Sequence, residues 1–271
     1  MRTAGMLSIT LLLATSVGPV AAAEETVDAS DLVRAVENTL AAETAHIGVQ
    51  VMMEAPGVGI DPTLFMDVTG QIAFDDELRF RLDGEMLDLG SFSFIADGGD
   101  MYLSGELVDG LLSPGDWLYV DASAPPPGFE DLQSSFEVGG DVALALYWLL
   151  GVDGPIEVLD AEPVGEGEAT HVEVPIDLEL VRDQLPRWLL PAYEQNLAGL
   201  REAGADVDRA EAWLGEDDFV QRLSYDMPVS LGDQLALLTV GYDFSGFGEP
   251  LELGLPDPAD IVDAWELIAE E

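Results

Sequence analysis

Leu64-Phe-Met-Asp-Val-Thr-Gly-Gln-Ile-Ala-Phe74 is the stretch on which the fold turns. Leu64, Met66, Val68, Gly70, Ile72 and Phe74 fall on one side of an extended chain, and Phe65, Asp67, Thr69, Gln71 and Ala73 on the other. A sustained period of two marks a strand with one face against apolar matter. The same period continues on both sides. Upstream, Ile47, Val49, Val51 and Met53 alternate with Gly48, Gln50 and Met52, and a loop at Pro56, Gly57 and Gly59 follows. Downstream, Asp75-Asp76-Glu77 reads as a turn, after which Leu78, Phe80 and Leu82 alternate with Arg79, Arg81 and Asp83. Phe92 and Phe94 keep the pattern, Gly98-Gly99-Asp100 turns, and Met101 to Leu103 and Trp117 to Val120 return. Residues 46–121 therefore read as an antiparallel meander of about five strands.

Around this meander the period shifts toward that of helices. Leu32, Val33, Val36 and Leu40 recur at helical spacing, which predicts an amphipathic helix over 29–43 with Asp28 or Ser30 as N-cap. After a connector rich in proline and glycine (Pro125 to Gly140), Asp141 would cap a short apolar helix, Val142 to Leu150, stopped by Gly151. Strands fit 156–160, 170–176, 219–226 and 234–244. Residues 177–203 have helical character but carry Pro186 and Pro191, so two or three short kinked pieces are expected. The end, Asp257 to Ala269, reads as a last short helix. Helix, strands, helices and more strands give an α+β chain with helices packed on one face of a large antiparallel sheet.

Arg2, the apolar run Met6 to Val17 and Ala21-Ala22-Ala23 before Glu24-Glu25 make a secretory signal whose apolar core is too short to span a bilayer. The expected arrangement is a signal over 1–23, cleaved after Ala23, and one domain over 24–271, secreted or otherwise extracytoplasmic. Nine basic residues, all arginine, face 54 acidic ones, for a formal net charge of -45. Such a surface repels nucleic acid and anionic headgroups at long range, so no nucleic-acid partner is expected. It also suits a salt-rich medium, in which self-repulsion is screened. With 48% hydrophobic residues the chain nevertheless folds around a sizeable core.

Several chemistries are missing. There is no cysteine, hence no disulfide, thiol catalysis or acylated cysteine, and no lipid anchor is expected. There is no lysine for a P-loop, Schiff base or pyridoxal phosphate, no G-x-S-x-G elbow and no G-x-G-x-x-G after a strand. His46 and His171 each lie in strand-like runs without metal-ligand spacing, so both read as ordinary strand histidines. Asp75/Asp76/Glu77 and Glu216/Asp217/Asp218 lack the D-x-D-x-D-G pattern of a calcium loop and read as solvated turns. Among so many acids, none is singled out as a glycosidase-type pair. No catalytic residue, metal or cofactor is expected, and the chain reads as a non-enzyme.

Four stretches carry a resemblance. Leu32 to Val51 runs from an amphipathic helix through Thr44-Ala-His46 into a strand; FIADGGDMYLSG (94–105) leads to DWLYVD (116–121). GPIEVLDAEPVGEGEATHVEVPIDLELVRDQL (154–185) and YDFSGFGEPLELGLPDP (242–258) complete the set. In their order the chain resembles the LppX/LprAFG family of actinobacterial envelope lipid carriers, related in fold to the LolA-like lipoprotein carriers. That family usually has an acylated cysteine after its signal, which this chain lacks, and the region 187–215 is divergent.

The resemblance implies a curved antiparallel half-barrel with helices across its concave face, enclosing a cavity for the acyl chains of a lipid or glycolipid. The walls would be Met66, Val68, Ile72, Phe80, Leu82, Phe92 and Phe94, and the roof Leu146 and Leu149, with Leu144 and Trp148 beside them. At about 0.8 kcal/mol per buried methylene, a sixteen-carbon chain represents on the order of 12 kcal/mol, so it needs cover to cross water. Pattern alone favours an ordinary core; the resemblance favours a cavity. Transient contact with a membrane or envelope transport protein and a monomeric state complete the expectation, with a solidly packed structural or protein-interaction module as the alternative. Arg79 and Arg81 would either meet an anionic headgroup or pair with neighbouring acids, and acids far outnumber them.

Overall fold

The computed structural model describes residues 27–75, 79–108, 110–113, 115–121, 123–127, 138–165, 167–205, 207–231 and 234–269. The expected signal at 1–23, and Asp76 and Glu77 of the expected turn, lie outside them.

The first helix, α1 (Ala29–Ala41), starts where the sequence offers a cap. The Asp28 side chain accepts from the backbone N–H of Ser30 and Asp31, and Asp31 reaches back to Asp28 in a capping box. Hydrogen bonds from Ser30 and these amides hold the Asp28 carboxyl below its ordinary pKa. Leu32, Ala35, Val36 and Thr39 form the buried stripe.

Six strands follow in a meander, one more than expected: β1 (Thr44–Ala55), β2 (Ile60–Ala73), β3 (Arg79–Met86), β4 (Gly90–Asp97), β5 (Asp100–Gly105) and β6 (Trp117–Asp121). The chain then passes through α2 (Val138–Trp148) into a second group: β7 (Glu157–Val164), β8 (Gly167–Pro175), β9 (Arg209–Gly215), β10 (Val220–Leu231) and β11 (Gln234–Ser245). Among the described residues all strands join one curved sheet, in the order β12-β6-β5-β4-β3-β2-β1-β11-β10-β9-β8-β7. β1 pairs with both β2 and β11, so it joins the two meanders at the centre, with Val49 opposite Val68 on one side and Tyr242 on the other. Because β6 and β7 stand near opposite edges, the connection between them must cross a whole face of the sheet, and it carries α2 with it.

The sequence misplaced some elements. Asp141 does not cap α2 but lies inside it, since the helix begins at Val138. Residues 177–203 do break into short pieces at the prolines: α3 (Leu178–Val181), a 3-10 turn at Arg182–Gln184, and α4 (Leu190–Ala203). β9 was not foreseen, because Arg-Ala-Glu-Ala-Trp-Leu-Gly has alanines where strand formers would signal. The tail is not one helix from Asp257. A 3-10 turn (Pro258–Asp260) leads to β12 (Ile261–Asp263), which pairs parallel to β6, and α5 (Ala264–Ala269) closes the chain.

α1 is tied to the sheet by a buried hydroxyl. Thr39 Oγ1 donates to Ala35 O at 2.8 Å and accepts from the Val220 backbone N–H, at the start of β10, at 2.9 Å. Thr39→Val keeps the volume but strands that buried N–H, so unfolding free energy should fall by about 1–3 kcal/mol. Thr39→Ser, which keeps the hydroxyl, should recover most of it in the same denaturant titration.

Candidate functional site

Side-chain alternation assigns the two faces of the sheet. Ile47, Val49, Val68, Ile72, Phe80, Leu82, Phe94, Ala96, Met101, Leu103, Leu118 and Val120 share the inner face, on which the helices pack, and all are buried in one apolar cluster. The second meander adds Val172, Val174, Ala210, Ala212, Leu223, Tyr225, Val240, Tyr242 and Phe244 to it. From above, α1 contributes Leu32 and Val36. α2 differs from α1 in kind. Its residues Val142 to Leu146 are buried in an unbroken run, with Trp148 and then Leu149, rather than along a stripe. An unbroken apolar run on a helix lies inside apolar matter.

Seven of the nine residues expected in the lining lie in this cluster. Val68, Ile72, Phe80, Leu82 and Phe94 on the sheet and Leu146 and Leu149 at α2 are at most 3% exposed. Phe80 and Phe94 meet edge to face at 5.0 Å. Met66 and Phe92 are only partly buried and pack against the same cluster. For the lining the sequence reading named no residue of β10 or β11, although Leu223/Tyr225/Met227 and Val240/Tyr242/Phe244 alternate along them and join or pack against the same cluster. Here stand the polar atoms of the inner face: Trp148 and Tyr225 rings lie 4.9 Å apart, and the Tyr225 and Tyr242 hydroxyls 3.4 Å apart.

The ends of the sheet differ. At the end where β1–β2, β3–β4, β5–β6 and β10–β11 are connected, Leu64, Leu87, Leu89, Leu111 and Leu235 are exposed, and Val51, Met66, Phe92, Leu107, Leu112 and Met227 are partly buried. At the opposite end the connections carry Glu43, Asp75, Asp217 and Asp218 and expose no large apolar side chain among the described residues, whereas the leucine end mixes its leucines with Asp88 and Glu106. Over this face α3 and α4 are locked together: the buried Tyr193 hydroxyl donates to Leu178 O, Arg182 pairs with Glu194 at 2.6 Å, and Arg201 pairs with Glu179. Burial raises the Tyr193 phenol to about 12.

The outer face is polar. Arg79 pairs with Asp75, and Arg81 pairs with Asp83 at 2.9 Å, so the pairing expectation describes both arginines. Burial pushes the Asp83 carboxyl upward, but hydrogen bonds from Arg81 and Ser93 outweigh it and leave it below its ordinary pKa. Arg81 also donates to the carbonyls of Leu253 and Gly254, and Gln71 accepts from the Glu252 N–H, which pins the chain after β11 across β2 and β3. Both histidines are partnered on strands. His46 lies 2.7 Å from Gln71 Nε2 and 3.3 Å from Glu249, while His171 donates to Glu211 at 3.0 Å and stacks on Trp213. No group of three or more metal-ligating side chains occurs among the described residues, and no helix among them is long and apolar enough to cross a membrane.

No family model and no curated protein matches the sequence. Among solved structures, the chain is similar to the lipoprotein LppX of Mycobacterium tuberculosis, at 13% identity and a TM-score of 0.48, over 83% of this chain and 97% of that one. LprF of Mycobacterium bovis matches at 12% identity and a TM-score of 0.46, over 85% of this chain and 96% of that one. A LolA superfamily protein of Nitrosomonas europaea matches at 13% and 0.31, over 85% and 96%. They belong to the groups of proteins that the four sequence stretches resemble.

Proposed function

We propose that this chain is a non-enzymatic, extracytoplasmic carrier that holds the acyl chains of a lipid or glycolipid between the inner face of its sheet and the helices over it. One observation carries the reading. The inner face is apolar from the centre of the sheet to the end where Leu87, Leu89 and Leu111 are exposed, apart from the Trp148 indole and the Tyr225 and Tyr242 hydroxyls, whereas the connections at the opposite end expose no large apolar side chain among the described residues. That gradient gives an acyl chain one way in. Met66 and Phe92 would receive it at the mouth, with Val68, Ile72, Phe80, Leu82 and Phe94 as wall and Leu146 and Leu149 as roof. Since these last seven are almost wholly covered, a guest enters by lifting α2 from the sheet, and its methylenes replace the contacts the helix gives up. The acidic exterior keeps the loaded protein in solution and away from anionic surfaces, consistent with a monomeric shuttle that meets a membrane or an envelope transport protein only in passing. Processing after Ala23 would place residues 24–271 outside the cytoplasm.

The same near-complete burial also favours a second reading, a solidly packed module of the envelope that binds a protein. Native mass spectrometry of protein purified from its own host in molar salt separates the two. Carriage is expected to show as protein masses raised by co-purifying lipid, released by organic extraction. A single bare-protein mass, unchanged after incubation with phospholipid or glycolipid micelles, would leave the module.

A further inference from the structure

One polar atom on the inner face has nothing to bond. Trp148, the last residue of α2, is only 4% exposed, and its indole Nε1 is buried with no hydrogen-bond partner among the described residues. An indole nitrogen can only donate, and buried indoles nearly always find an acceptor, because an unmade bond there forfeits the water it gave up. Nothing in the packing demands the nitrogen: phenylalanine or leucine would fill apolar space without that cost. The ring sits against Tyr225, 4.9 Å between centroids, and the Tyr225 hydroxyl is 3.4 Å from that of Tyr242. Tyr225 lies opposite Val240, and Val240 opposite Val51, a partly buried residue below the apolar mouth. An indole donor and two phenols are thus gathered at one level of an otherwise hydrocarbon interior, one step inside the entrance.

We infer that Trp148 Nε1 is the polar anchor of the interior site. It donates to one acceptor oxygen of the guest, and the guest is therefore an acyl ester or similarly oxygenated lipid, not bare hydrocarbon. The inference rests on the carrier reading above and sharpens it. The hydrocarbon of the guest takes the place of α2's apolar contacts, while the oxygen at the head of the chain sets how far in the chain slides.

The test uses the full chain in molar salt with two probes of equal chain length, methyl palmitate and hexadecane. Trp148→Phe keeps an aromatic ring and removes only the donor. Its affinity for methyl palmitate should drop about three- to tenfold, the worth of one hydrogen bond, with hexadecane affinity unchanged. In the isotope-labelled wild type, the indole N–H resonance absent from Trp148→Phe should move downfield on adding the ester and stay put with the alkane, a readout that stands even where the variant folds poorly. If both probes bind but the resonance ignores the ester, or the variant loses both probes alike, the anchor is wrong while the carrier reading stands. If neither probe binds the wild type, the carrier reading fails and takes the anchor with it.

Discussion

Val68→Asp is expected to remove most of the stability of the protein, and any fraction that remains folded should take up no lipid. Val68 is 3% exposed, with Val49 opposite it on one side and Gly84 on the other. A carboxylate there has no counter-charge, because Arg79 and Arg81 of the neighbouring strand hold their partners on the outer face. Burying an unpaired charge costs several kcal/mol, a large part of the 5–15 kcal/mol that holds a typical domain together. Thr69→Asp is the control, one residue along and on the exposed outer face opposite Asp83. In molar salt its like-charge neighbour costs no more than about 1 kcal/mol. Denaturant titration of the pair reads the facing of β2 directly. Equal stabilities, with normal lipid uptake by the Val68 variant, would mean that the inner face has been assigned to the wrong side of the sheet.

That facing was legible in the sequence because β2 alternates unbroken from Met66 to Ile72, where a one-residue slip would have turned every apolar side chain outward; a bulge before Met66 sets Leu64 opposite Met52 and takes it off that row. For the same reason the meander, the two strands β7 and β8 and the hairpin β10–β11 were found within a few residues. The elements that were missed lack local signals. β9 is held by its neighbours, pairing with β8 and β10 on either side through small side chains that pack closely but announce nothing. β12 is three residues long, and its pairing with β6 is a contact between the far end of the chain and a strand laid down much earlier. α2 illustrates the limit from the other side. Its apolar run was plain, but an unbroken apolar run gives no direction, and Asp141 looked like a cap only because nothing upstream looked helical.

The candidate site divides in the same way. Of the residues expected from the first meander, Val68, Ile72, Phe80, Leu82 and Phe94 lie in one cluster and Met66 and Phe92 pack against it, since period two assigns faces without any knowledge of the fold. The share of β10 and β11 depends on β11 coming back to pair with β1, a long-range closure that no local pattern encodes. Trp148 was visible as a roof residue; its unpartnered nitrogen was not, because satisfaction is a property of neighbours. The polar outer face shows the converse. Arg79 and Arg81 could be assigned to pairing from composition alone, because any arginine on this chain is surrounded by acids.

Gly70→Ala should cost at least about 3 kcal/mol, although it adds one methyl group in the middle of a long strand. The reason is not dihedral freedom but the approach of the next strand. Gly70 sits on the inner-face row between Val68 and Ile72, paired with Leu82 of β3, and a Cβ built on it would lie 1.9 Å from the Arg81 carbonyl oxygen and 2.9 Å from the carbonyl carbon. Those are backbone atoms and cannot swing aside as a side chain would. To admit the methyl, β3 must move away from β2, which breaks the ladder from Ile72–Phe80 to Met66–Met86 and parts the wall at Phe80 and Leu82. Gly48 on β1 supplies the comparison: its Cβ would make an ordinary contact with Asp243 at 3.6 Å. Gly48→Ala should therefore be neutral or stabilising by a few tenths of a kcal/mol, through the lost freedom of the unfolded chain. Thermal and denaturant unfolding of both variants distinguishes a sheet pinched at Gly70 from one that merely contains a glycine; alanine tolerated equally at the two positions would show that β2 and β3 do not approach so closely, and that the wall is flatter than its glycine implies.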